Sequence, residues 1–560
     1  MFFKIASFVL SFILLTCFFS YSCRAQFIAS EIYETEEDLR EGLEMGFLTL
    51  DQYLELLDMM QSKLYPASKE ADRLFFVPDM SNADLSQIKG QKLDLDLDQK
   101  MAAFLAQREK KDRAPLSGRL VWKFYEEFQQ QGETESYLFC EVGNRERLIW
   151  RIEADQQVNS SESILSQGDF RVRRRFLNIM LPEYSSELVF GNFDKRIGLG
   201  LNVGYHPLFG YTSESEPHFE DSFLYPTRGR FNGILGESKF RSLSVLAFYS
   251  RNKRGQIENE IQTLDLILVK EEVQVGACLS AGELKNTQSK STFTDDCTSL
   301  HFDFVVSPVR FSGEYALLPN EENALAFDLY SRRKPLSFDF SWWRYGDDFI
   351  HPHGGGISNP DYETIHLDEI DFDYRSRQAG ERGIFFKSRY TILEKLNLDF
   401  SYNQWRERSY LPEKMKFRVG TGYDFSPEFS FAIYQLWTDY NVEDEEIDRK
   451  TSSLDLFVSP YPKLELNLIA NYRTTHAKDY GDLRVKIRTA AVSPLEFVLW
   501  AKYNDPNFSR SSDGYFSFHV QEDLRFSGNF FFSAEYMSKF YQDESKDDTQ
   551  SARVKVEILW

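Results

Sequence analysis

Residues 464–472 read LELNLIANY, and their alternation decides the fold. Leu464, Leu466, Leu468, Ala470 and Tyr472 fall on one face of a strand, and Glu465, Asn467, Ile469 and Asn471 on the other. The weave recurs in Leu483, Val485 and Ile487 against Arg484, Lys486 and Arg488. It returns in Leu495, Phe497, Leu499, Ala501 and Tyr503 against Glu496, Val498, Trp500 and Lys502, and in Leu300, Phe302 and Phe304 against His301 and Asp303. A soluble sandwich turns such an apolar face inward. A membrane barrel turns it outward to lipid and lines a wet lumen with the charged face.

Two features favour the barrel over a secreted all-β protein. Short connections at Ser426-Pro427, Ser459-Pro460, Ser493-Pro494 and Ser527-Gly528 recur at intervals of about 33 residues, with Ser307-Pro308 and Lys334-Pro335 upstream. Between them lie longer polar connections at 405–413, 438–450, 474–481, 504–514 and 541–551. The repeat reads as strand, long loop, strand, short turn. Strands of about 9–11 residues suit a tilted membrane crossing. The acidic stretches at Glu443–Glu446 and Asp543-Glu544 are expected in external loops. The second feature is the end of the chain, where Val554, Val556, Ile558 and Trp560 alternate to the last residue. Aromatics also gather at strand ends (Trp342, Trp343, Tyr345, Phe429, Phe530, Phe540), as interface girdles require.

Composition agrees. The chain has 560 residues, 87 Asp+Glu against 65 Lys+Arg, and a formal net charge of −22, which argues against general affinity for nucleic-acid phosphate. A charged fraction of 27% and a mean hydropathy of −0.44 exclude a bundle of membrane helices. An aromatic fraction of 16% is unlike a solvated disordered chain. The fold expected is mostly β: one large antiparallel transmembrane β-barrel over 114–560 with roughly 20–24 strands. Eleven of these fall between Arg382 and Trp560, after a long loop from Gly346 to Gly380.

Residues 1–25 have the pattern of a signal peptide: Lys4, a continuous apolar run from Ile5 to Phe19, and a small residue at Ala25. Residues 26–113 have helical periodicity. Thr35 with Asp38 and Thr49 mark helix starts, and Tyr53, Leu54, Leu57, Met60 and Leu64 form a stripe. This segment is expected in the periplasm or the lumen.

Three resemblances follow. Residues 64–85 (LYPASKEADRLFFVPDMSNADL) resemble the helix-hairpin-helix repeat of competence-type DNA-receptor proteins, which implies a backbone phosphate site at the hairpin. Here the hairpin is Pro78-Asp79-Met80-Ser81, without the glycines that close backbone approach needs and with a carboxylate at the anion position. DNA is therefore not the expected partner. The last strand resembles the terminal strand by which Gram-negative outer-membrane proteins are recognised for barrel assembly, implying barrel-assembly machinery and outer-membrane lipid as partners. Residues 188–201 (LVFGNFDKRIGLGL) and 381–392 (ERGIFFKSRYTI) are similar to a poorly characterised bacterial group with a helix-hairpin-helix region before an outer-membrane barrel.

Chemistry is sparse. No phosphate loop, His-Glu-x-x-His or Gly-x-Ser-x-Gly occurs, and no cofactor is expected. His351 and His353, beside Asp347 and Asp348, are the metal candidates; the competing reading is a flexible exposed Gly-rich loop. Arg171, Arg173 and Arg175 share a face if 169–180 form a strand. They are then a basic lumen strip, or pair with inward acids such as Asp303, Asp339 and Asp399. Cys278 and Cys297 bracket a polar stretch that a disulfide could staple, leaving Cys140 as a small buried hydrophobe. His301 and His519 lie on strands without an identifiable Ser and carboxylate set, so an enzyme is not the expected reading. The functional expectation is an outer-membrane channel, transport or secretion component. The alternatives are an envelope binding or assembly protein that engages a partner through the helix-hairpin-helix segment, and a barrel enzyme.

Overall fold

A computed structural model describes the chain from residue 117 to residue 559, except for short inter-strand stretches and the longer 160–169, 205–222 and 355–379. The expected signal peptide, the helical segment 26–113 with its hairpin, and Trp560 lie outside the described residues.

Among the described residues twenty-five strands, β1 (Ser117–Glu127) to β25 (Thr549–Leu559), form one sheet in which every paired couple is antiparallel. β25 pairs with β1 from Arg119↔Leu559 to Glu127↔Ser551, which closes the sheet on itself. β10 (Thr292–Thr294) pairs only with the end of β9 (Val273–Asn286), whose remainder pairs with β11 (Cys297–Val306). β10 and β11 are thus two pieces of one stave, and the barrel has 24 staves. From β15 (Arg382–Ile392) to β25 there are the eleven expected strands, and no strand is described between Tyr345 and Arg382. An 11-residue strand such as β20 (Leu464–Thr474) rises about 36 Å, or about 28 Å when tilted as barrel strands are, which matches the apolar band of an outer membrane.

Burial inverts the soluble pattern. On β8 (Ile257–Lys270), Leu264, Leu266 and Leu268 face outward and are 39%, 43% and 62% exposed, whereas Asp265 between them is 1% exposed. On β11, Leu300 is exposed and His301 is buried. On β20 the exposed Tyr472 follows the buried Asn471, whose Nδ2 donates to Asp482 of β21 (Asp479–Thr489) at 3.0 Å. The apolar faces read from the sequence are the outer wall, and their polar intervals are the lumen.

On the outer wall rings pack across strands. Phe302, Phe304, Phe311, Phe327 and Trp342 form one run with centroids 5.0–5.9 Å apart between neighbours. Phe386, Phe400, Phe417 and Trp437 form another. Trp343 is a correction to the girdle reading. Adjacent residues of a strand point to opposite faces, so Trp342 is outside and Trp343 is buried inside, with Nε1 donating to Glu381 at 2.7 Å.

Short turns occupy one rim and most long connections the other, with both barrel ends, Ser117 and Leu559, at the short-turn rim. One expected loop is largely strand: β18 (Phe429–Val442) and β19 (Glu445–Tyr461) pair out to Val442↔Glu445, so 438–450 continues the ladder well beyond the expected loop boundary.

Candidate functional site

A closed barrel of this size encloses more space than its own side chains fill; barrels of 16–18 strands already hold an aqueous channel. Here two connections at the long-loop rim turn into that space. Residues 195–204 follow β5 (Ser186–Phe193), and the described residues of 346–354 (all but 350 and 352) follow β14 (Leu336–Tyr345). Ile197, Leu199, Leu201 and Val203 of the first and Phe349 of the second are buried against inner-wall residues. We call the pair the plug.

The plug is held by a carboxylate. Glu314, on β12 (Val309–Leu317), is 1% exposed and accepts hydrogen bonds from the backbone N–H groups of Leu201 (3.0 Å) and Asn202 (3.2 Å). Charge-assisted bonds to N–H groups are the strong class. The Asn202 side chain donates to the carbonyls of Cys278 (3.2 Å) and Cys297 (3.3 Å) and accepts from Ser280 Oγ (2.5 Å). Gly198 has φ +57°, and a Cβ there would lie 2.8 Å from Glu314 Oε2 and 2.9 Å from His301 Cβ. Only glycine suits both the left-handed backbone and the close approach to the wall.

Beneath the plug His301 reaches across a strand. Its Nε2 lies 2.9 Å from Asp265 Oδ1, although β9 runs between β11 and β8. The ring passes over Gly276 of β9, where a Cβ would stand 2.3 Å from His301 Cε1. Among the described residues no hydroxyl hydrogen-bonds the His301 ring, so a nucleophile–base pair is not assembled there. His519 also has a carboxylate, Glu535, 3.0 Å from its Nε2. Neither partner was identified from sequence, because each lies on another strand.

His351 and His353 are not on an exposed loop, and the Nε2 of each meets a protein oxygen of its own. Both are buried within the plug. His351 Nε2 meets the carbonyl of Asn202 at 2.5 Å, His353 Nε2 meets Asn259 Oδ1, and the His353 carbonyl accepts from the N–H of Gly204 at 3.0 Å. They latch the second plug segment to the first and to the wall. Among the described residues no group of three potential metal ligands occurs.

The expected strip of Arg171, Arg173 and Arg175 is broken by a bulge in β4 (Phe170–Leu181). Glu153 pairs with Arg174 and Ala154 with Val172, so one residue is skipped and the parity shifts. Arg171 and Arg174 lie on the inner face and are buried. Arg175 turns outward, its guanidinium donating to the carbonyl of Phe223 and stacking on that ring at 5.0 Å. Asp303 and Asp399 pair instead with the nearby Arg310 and Arg389 (2.9 and 2.6 Å). Across the inner wall, Arg119, Phe139, Arg151 and Phe176 alternate as a cation–aromatic ladder with contacts of 4.9–5.5 Å.

Cys278 and Cys297 face the same lumen patch on neighbouring staves, but diagonally, Cys278 opposite Ser299 and Cys297 opposite Ser280. Both are buried, neither is in a disulfide, and the expected staple is not formed. Cys140 is half-buried and also free.

A closed antiparallel barrel with an apolar exterior, a polar interior and an inserted plug matches the fold of Gram-negative outer-membrane proteins. Solved structures agree at the level of fold. An Escherichia coli P pilus tip assembly intermediate, PapC-PapD-PapK-PapG, has a TM-score of 0.50 at 9% identity over 79% of this chain and 60% of that one. The P pilus usher (PapC) translocation pore has a TM-score of 0.41 at 10% identity, over 79% and 99%. The siderophore receptor PirA from Pseudomonas aeruginosa has a TM-score of 0.43 at 9% identity, over 80% of each chain. No protein-family model matches this sequence, and no curated protein is detectably similar to it.

Proposed function

We propose that this chain is an outer-membrane transport channel whose passage is governed by the internal plug. The observation that carries the reading is the Glu314 anchor: a segment inserted into a lumen lined by charged and amide side chains is held at one carboxylate. A wall polar from β20 to β25 and β1 to β4 suits passage of a hydrated, polar cargo. The apolar exterior is the surface for outer-membrane lipid, and β25, with the terminal Trp560, is the element offered to barrel-assembly machinery.

The test is planar-bilayer recording of the purified full-length protein beside a plug-released variant. Rare or silent openings in the wild type and frequent ion-conducting openings in the variant are expected. Silence in both, from barrels that shift on boiling in a heat-modifiability gel, would overturn the channel reading.

A further inference from the structure

We propose that the short segment 223–226 is a lipid anchor: it lies on the outer face of the wall and sets Phe223 and Leu224 into the membrane where acyl chains give way to headgroups.

The wall itself marks that boundary. On four successive strands one outward row reads Leu177 of β4, Phe190 of β5, Ile234 of β6 (Phe231–Phe240) and Tyr249 of β7 (Leu243–Arg254), each opposite the next. Phe190, Ile234 and Tyr249 are 37%, 50% and 39% exposed, as lipid-facing side chains are. Two residues further toward the long-loop rim the same faces carry Arg175, Asn192, Asn232 and Arg251. One step along the strands thus replaces an apolar row by a wholly polar one. Hydrocarbon cannot solvate amides and guanidinium groups, so it ends between the two rows. Tyr249 fits at that edge, because a ring with a polar tip suits the interface.

The segment is fastened across the polar row. Arg175 donates to the Phe223 and Leu224 carbonyls, the second at 3.3 Å, and its guanidinium lies 5.0 Å from the centre of the Phe223 ring. The Arg175 backbone N–H donates to Asn192 Oδ1 at 3.0 Å, which ties the arginine to β5. Asn232 Nδ2 donates to the Leu224 carbonyl at 2.9 Å and to the Arg251 carbonyl at 3.1 Å. Beneath the segment Asn232 is buried, although Ile234 on the same face is half exposed.

What the segment turns away from the wall is apolar. Its carbonyls point to the barrel, while Phe223 and Leu224 are 44% and 56% exposed. Polar groups inward and apolar side chains outward is the arrangement of the lipid-facing wall, repeated one layer further out. An aromatic and a leucine held at the edge of the hydrocarbon are the side chains that bind the interface. The partner this surface fits is the lipid of the outer leaflet. The anchoring goes beyond the channel reading, because it holds equally in a barrel that conducts nothing.

The experiment is depth-dependent fluorescence quenching of the full-length protein in phosphatidylcholine vesicles. In a C140A background, single cysteines F223C, L224C, L266C and K253C carry an environment-sensitive fluorophore, and C140A alone sets the background. The vesicles carry a nitroxide either near the headgroup or near the chain end. Labels at 223 and 224 are expected to be quenched at least about twofold more by the shallow nitroxide than by the deep one. The L266C label, on the lipid face of β8, is expected to show the reverse and reports insertion; K253C, in the polar zone, is expected to be quenched weakly by either. Adding R175A to L224C unfastens the segment and is expected to bring its quenching down toward that of K253C. Labels at 223 and 224 quenched no more than K253C, in preparations where L266C is quenched, overturn the anchoring. Stronger quenching of both by the deep nitroxide also overturns it, as does unchanged quenching with R175A. Quenching that disappears as the protein-to-lipid ratio rises assigns the surface to a second copy and overturns it too.

Discussion

Replacing Glu314 by Ala removes the carboxylate that anchors the plug. Two hydrogen bonds to a carboxylate are lost, from Leu201 and Asn202. Bonds to a charged group contribute about 1.5–3 kcal/mol each net. The two N–H groups then sit in a buried site without their acceptor, and they regain a partner only when the plug leaves the wall and meets water. Roughly 3 kcal/mol is a conservative figure for the shift toward the released form. At 1.4 kcal/mol per factor of ten, that raises the ratio of released to seated plug about 150-fold. The Asn202 side-chain bonds and the His351 latch persist, so the barrel itself is expected to remain folded. The assay is single-channel recording, with the heat-modifiability gel as control for the wall. E314Q, which keeps the shape and one good acceptor, is expected to fall between. An open probability for E314A within threefold of wild type, from intact barrels, would refute the anchoring role.

Other outcomes follow from the same geometry. Leu266→Arg places a charge on the lipid face and is expected to cost about 2–4 kcal/mol near the membrane midplane, while Thr263→Arg on the opposite face costs less; refolding titrations in lipid compare them. Equal costs would mean that the faces are assigned the wrong way round. Gly276→Ala puts a methyl where the His301 ring lies, so the His301–Asp265 contact is expected to break, with a loss of about 1–3 kcal/mol in the same titrations. No additional loss in the double variant with H301A would support this route; simple additivity would count against it. Deleting Trp560 is expected to lower the yield of inserted barrel without changing the conductance of the molecules that do insert. Full insertion would dispose of a terminal-strand signal.

The wall was legible in the sequence because a strand in a barrel has one periodicity and two unlike solvents. Leu464 to Tyr472 announces both faces, and the Ser-Pro punctuation announces the turns. The eleven strands after Arg382 could be marked one by one for that reason. Upstream, β5 has only eight residues and β10 three, and the count blurred. The arginine strip failed at a single skipped residue, since a bulge leaves no mark in composition but reverses the face of everything beyond it. The site failed for a different reason. Asp265, Glu314 and Asn202 are ordinary polar residues whose meaning comes from partners on other strands. The nearest local signal is the glycine-containing end of 188–201, which carries a family resemblance but no mark of an entry into the lumen. His351 and His353 stand out in the sequence only as metal candidates, because two imidazoles near carboxylates look alike whether they bind an ion or a backbone carbonyl.

The plug is stitched together from distant parts of the chain: Leu201 meets Glu314 113 residues later, and His351 meets Asn202 149 residues away. Contacts of such separation form late. The inserted segments therefore cannot seat until β5 through β14 are side by side, and under the channel function proposed above a molecule caught earlier is an open one. Under that function a defect at Gly198 or Glu314 is expected to act as an osmotic injury rather than a loss of protein. It would show as cells admitting bulky antibiotics and detergent while carrying a normal amount of barrel.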